Sequence, residues 1–91
     1  MKIKEGFVVR KLGTQYVVVA LSNEASQLNY LIKLNEIGAF MWEILAKKDT
    51  SKEELIKEVL NEYDASEEQV TNDVNEFISI LKEKKILKDE K

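Results

Sequence analysis

The sequence predicts an α+β domain in which three antiparallel strands precede three helices. Three observations carry this. β-Branched and aromatic residues fall in short runs up to residue 34, the apolar period changes from two to about 3.6 at Asn35, and two serine capping patterns divide the remaining chain into further helices.

Phe7-Val8-Val9-Arg10-Lys11 and Gln15-Tyr16-Val17-Val18-Val19-Ala20-Leu21 read as strands, with Gly13 as the turn residue that makes them a hairpin. The polar stretch Ser22-Asn23-Glu24-Ala25-Ser26-Gln27 separates them from a third strand, Leu28 to Leu34. There Leu28, Tyr30, Ile32 and Leu34 alternate with Asn29, Leu31 and Lys33 and form one apolar face. Asn35 is a good helix N-cap, and Ile37, Phe40, Met41, Ile44 and Leu45 recur at helical spacing after it. Trp42 and Leu45 widen the apolar arc of this first helix, which places it at the centre of the core and makes Gly38 a point of close approach. Ser51 with Glu54 forms a capping-box pattern, followed by the stripe Leu55, Ile56, Val59, Leu60 and Tyr63, and this second helix ends near Asp64. Ser66 with Gln69 repeats the pattern before Val70, Val74, Phe77, Ile78 and Leu81. Ile86-Leu87 is expected to tuck back onto the core ahead of the charged tail. Strands placed before three helices make a winged-helix-like arrangement.

With 91 residues, no proline, and no linker, repeat or low-complexity segment, residues 1–91 are expected to form a single domain. The chain has no histidine and no cysteine, so the commonest general base, the thiol nucleophile and the usual zinc ligands are missing. The 17 acids read as solvating groups rather than a catalytic pair, and catalysis is not expected. Neither is a zinc ion, an iron–sulfur cluster or a nucleotide, because the thiol and imidazole ligands and a glycine-rich phosphate loop are absent. No signal peptide or membrane span is readable, and with zero cysteine the cytoplasm is the expected compartment. Charge is uneven: residues 1–34 carry five bases and two acids, residues 35–91 nine bases and fifteen acids.

The stretch Leu34-Asn35-Glu36-Ile37-Gly38-Ala39-Phe40-Met41-Trp42-Glu43-Ile44-Leu45 resembles the signature of the PqqD family, Leu-Asn-Glu-Thr-Gly-Ala followed by an apolar pair, Trp and Leu. It departs at Ile37, where Thr is frequent. The flanks are similar too, from a Phe-Val-Val-Arg-Lys first strand and a Tyr-Val-Val-Val second strand to the endings Glu62-Tyr63-Asp64 and Lys85-Ile86-Leu87. The resemblance implies the winged-helix fold called the RiPP recognition element. Such a domain captures the leader segment of a ribosomally made precursor peptide and presents it to a modifying enzyme, often a radical SAM protein. It further implies that the leader adds as a strand along the third strand and lies in the groove between that strand and the third helix. It does not imply pyrroloquinoline quinone biosynthesis in particular. Asn35, Gly38, Phe40 and Trp42 have fold-defining roles within the signature.

On that reading the peptide-binding residues are Asn29, Tyr30, Leu31, Ile32, Lys33 and Leu34 of the edge strand, together with Asp73, Phe77, Ile80 and Lys84 of the third helix. An edge strand offers unpaired N–H and C=O groups to a guest. At about 100° per residue, Ile80 lies about 120° from Val74 and off the inward stripe, beside Gln69, Asp73, Phe77 and Lys84. Its partner is either a guest strand or the Ile86-Leu87 segment. Leu31, opposite the apolar face, is either a contact or a singly exposed leucine. The competing function is a DNA-binding winged helix. Against it, Glu67, Glu68, Asp73 and Glu76 with no Lys or Arg between Ser66 and Leu81 would set a negative helix against a polyanion.

Overall fold

A computed structural model describes residues 1–20 and 30–88. The strands are β1 (Phe7–Leu12), β2 (Gln15–Ala20) and β3 (Tyr30–Leu34); the helices are α1 (Glu36–Lys47), α2 (Lys52–Glu62) and α3 (Glu67–Glu83). Three antiparallel strands therefore precede three helices, as the periodicities predict, and the winged-helix description is compatible with this order. Leu21 to Asn29, which hold the expected end of the second strand and the start of the third, lie outside the described residues.

Gly13, with φ at 63°, opens the two-residue turn that sets Leu12 opposite Gln15. The sheet order is β1-β2-β3, so β3 pairs only with β2 among the described residues and leaves its outer edge unpaired. Val18 is fully buried on the helical side of the sheet. Val17, on the opposite face, is only 2% exposed, which accounts for an apolar run at Tyr16–Val19 where a half-buried strand would alternate. The alternation expected along β3 holds at its end, where Ile32 and Leu34 turn inward and Lys33 is exposed. It does not continue through Leu31. Val18 pairs with Ile32 and Val19 with Tyr30, which leaves Leu31 as the extra residue of a β-bulge.

Helix α1 begins where Asn35 predicts, its side chain accepting a hydrogen bond from the Gly38 N–H at 2.7 Å. Its buried stripe is Gly38, Met41, Trp42 and Leu45. Ile37, Phe40 and Ile44, expected on the central stripe, instead flank it half-buried, because the helix is packed from more than one side. Ser51 and Glu54 make the reciprocal capping box of α2. At α3 only half of that pattern forms: the Ser66 hydroxyl accepts from the Gln69 N–H. All five residues of the α3 stripe, Val70, Val74, Phe77, Ile78 and Leu81, are buried.

Helix α3 closes in a Schellman arrangement, with the Ile86 N–H donating to the Leu81 carbonyl and the Lys85 N–H to the Lys82 carbonyl. The left-handed position falls on Lys85, φ 60°, where glycine is usual. The turn drives Ile86 into the core at 0% exposure, and the burial of its side chain against the core offsets the strained backbone. Ile3, which no sequence pattern marked as core, is buried as well. It pairs with Leu87, while the Lys4 N–H reaches the Ile86 carbonyl and the Lys88 N–H the Lys2 carbonyl, so the first and last described segments close the core together.

Candidate functional site

Where β3 runs into α1, Asn35 turns the chain and Gly38 lets the two elements approach closely. A Cβ at residue 38 would stand 3.2 Å from Leu34 Cβ and 3.3 Å from Asn35 Oδ1. Helix α3 passes in front of this junction. The space between them is an open depression of about 190 Å³, lined by Lys33, Leu34, Asn35, Ile37, Gly38 and Met41 on one side and by Asp73, Glu76, Phe77 and Ile80 on the other. Pockets for organic ligands usually enclose about 300–1,000 Å³. This one is smaller and open to the surface.

The structure brings together five of the residues expected from sequence: Lys33 and Leu34 from β3, Asp73, Phe77 and Ile80 from α3. Phe77 is 5% exposed and belongs to the core, whereas Ile80 is half-buried and lines the depression. Ile80 meets the space facing β3, while Ile86 belongs to the buried core and Leu87 packs against it. Ile32 packs on the core and sits opposite Val18. Tyr30 contributes backbone to the pairing with Val19, and Leu31 forms the bulge. Lys84 is exposed as the C-cap of α3 and does not line the depression. Its separation follows from position: it lies one turn beyond Ile80, where the helix has already passed the β3–α1 junction. Asn29 lies outside the described residues.

Sequence reasoning missed Asn35, Ile37, Gly38, Met41 and Glu76 as lining residues. A signal existed for Glu76, because residues 73, 76, 77 and 80 follow the i, i+3, i+4, i+7 spacing of a single helix face. Ile37 and Met41 likewise lie one turn apart. What could not be read was that these two faces confront each other.

Tyr63 meets Phe40 edge-on, with ring centroids 5.4 Å apart. Burial, and then the nearby Glu36, Glu62 and Tyr16, raise the Tyr63 phenol above its ordinary 10.0. Among the described residues, no three His, Cys, Asp or Glu side chains gather where they could hold a metal ion. No described helix is long and apolar enough to cross a membrane.

The model of the family described as Coenzyme PQQ synthesis protein D (PqqD) matches residues 15–87, which include β2, β3, all three helices and every described lining residue of the depression. The chain belongs to the PqqD family. No curated protein matches it. Among solved structures, this PqqD-family chain is similar to TbiB1, determined in complex with the TbiA(beta) leader peptide. The TM-score is 0.71 at 23% identity, over 100% of this chain and 99% of that one. At that identity the likeness is one of fold, and it extends over the whole of this chain, including β1, which lies outside the family match.

Proposed function

We propose that this PqqD-family chain is a non-catalytic adaptor, a RiPP recognition element that binds the leader segment of a ribosomally made precursor peptide. The leader adds as a fourth strand on the outer edge of β3, and the bound precursor is presented to a modifying enzyme of the radical SAM class. It works in the cytoplasm, where such a precursor first meets its enzyme. The observation that carries this reading is the edge of β3, unpaired among the described residues, running into a side-chain-sized depression against α3. The edge supplies main-chain hydrogen bonds, and the depression takes alternate side chains of the added strand. Membership of the PqqD family supports it, as does a fold shared with a protein solved bound to a leader peptide.

The test uses a synthetic leader from a short open reading frame encoded beside this gene, with calorimetry for affinity and amide shifts for location. Shifts should concentrate on residues 30–34 and on Asp73, Phe77 and Ile80. A folded Ile80→Ala variant that binds as tightly as the parent, with shifts avoiding β3, would show the groove assignment to be wrong.

A further inference from the structure

The depression is electrically asymmetric. Its α3 wall carries two carboxylates, Asp73 and Glu76, and its floor is apolar, built from Ile37, Met41, Phe77 and Ile80. Helix α3 holds no Lys or Arg before Lys82, so nothing within the helix neutralises that wall at this level. Lys33 lines the β3 side, yet among the described residues neither Asp73 nor Glu76 is engaged in an ion pair or a side-chain hydrogen bond. Asp73 is half-buried and Glu76 exposed. An incoming acidic side chain would meet two like charges there, and an incoming basic one would find two acceptors left open.

We infer that the leader recognised by this chain places a Lys or Arg beside its apolar anchor, the anchor entering the floor at Ile80 and Phe77 and the base reaching Asp73 and Glu76. This rests on the peptide-binding reading above and names the chemistry of its ligand. The spacing comes from two rises. Glu76 and Ile80 are one turn apart, about 6 Å along the helix, and about two residues of extended chain cover the same length. Residues two apart also share one face of a strand, so base and anchor point the same way. The guest should therefore carry an apolar residue and a basic residue at i and i+2, in either order. Partial desolvation at the half-buried Asp73 strengthens the contact beyond that of a fully exposed pair.

A random short-peptide library displayed on phage, selected against the full chain, tests this without requiring the leader's own sequence. Selected peptides are then measured against Ile80→Ala, against the neutral pair Asp73→Asn/Glu76→Gln and against the reversed pair Asp73→Lys/Glu76→Lys. Circular dichroism confirms that each is folded. Peptides that need Ile80 should be enriched in Lys or Arg two positions from an apolar residue, and should bind the neutral pair about 5- to 10-fold more weakly. Selection on the reversed pair should switch the enriched residue to Asp or Glu; if that pair does not fold, the neutral pair decides. Ile80-dependent peptides with no excess of Lys or Arg, and with equal affinity for the neutral pair, would overturn the charge inference and leave the groove reading intact. Peptides that bind Ile80→Ala as well as the parent, or no enrichment at all, would overturn the groove reading and this inference with it.

Discussion

Strands β1 and β3 flank the same sheet, and among the described residues each leaves one edge unpaired, yet the two edges are unlike. On β1, Arg10, Lys11 and Leu12 are exposed, and the Lys11 ammonium lies 5.9 Å from the centre of the Tyr16 ring across the hairpin. Exposed cations on an edge strand are a common device against unwanted strand addition. On β3 the single cation is Lys33, the ladder is interrupted by a bulge at Leu31, and the strand runs directly into the α1 cap and the depression under α3. Unpaired peptide groups are shared by both edges, so they cannot by themselves make one of them a binding site. Among the described residues, the difference lies in what stands beside the edge: an apolar floor and a charged wall at β3, against the exposed Arg10 and Lys11 at β1.

The largest effect that can sharpen this contrast is expected at Phe77, which is both wall and core. Phe77→Ala should lower folding stability by about 3–5 kcal/mol in urea denaturation, because a buried ring leaves a cavity. Gly38→Val comes next. Its side chain would intrude on Leu34 and on the Asn35 cap that set β3 against α1, with an expected loss of about 1–3 kcal/mol from overpacking. Ile80→Ala separates binding from stability. The half-buried side chain should cost less than about 1 kcal/mol of stability, while leader affinity falls about 5- to 20-fold by calorimetry. The smallest effect belongs to the other edge, where Arg10→Thr together with Lys11→Thr should change leader affinity by less than about 2-fold while raising concentration-dependent self-association by light scattering. Loss of leader binding in that double variant, with the fold intact, would erase the distinction between the two edges.

Much of the fold is legible in the sequence where a local rule governs. Asn35, Ser51 and Ser66 mark three helix starts because a side-chain oxygen satisfies an otherwise orphaned N–H within the next turn. The α3 stripe is legible in full because a single face of that helix carries its buried residues. The α1 stripe reads off-centre, since a helix contacted on several sides has apolar residues around most of its circumference and its period no longer points to one neighbour. Ile80 stands out as off-stripe, but its partner cannot be named from sequence, because the angle around α3 says nothing about which element stands opposite. Lys84 shares that flank with Ile80 in angle, although the depression ends before it.

By itself, then, the sequence determined the kind and order of the elements, the start of each helix, the inward face of α3 and the resemblance to the PqqD family. Each of these is read from short stretches of neighbouring residues, one stretch at a time along the chain. Only the tertiary structure decided that Leu31 is a bulge, that Ile3 and Leu87 pair, that the turn which brings the expected Ile86 onto the core has Lys85 in the left-handed position, and that the face of α3 bearing Asp73, Glu76 and Ile80 looks across at Lys33 and Ile37. These features are set by register and by contacts between residues far apart in sequence. A one-residue slip along β3, or a rotation of α3 by a fraction of a turn, leaves every local period intact and removes the groove.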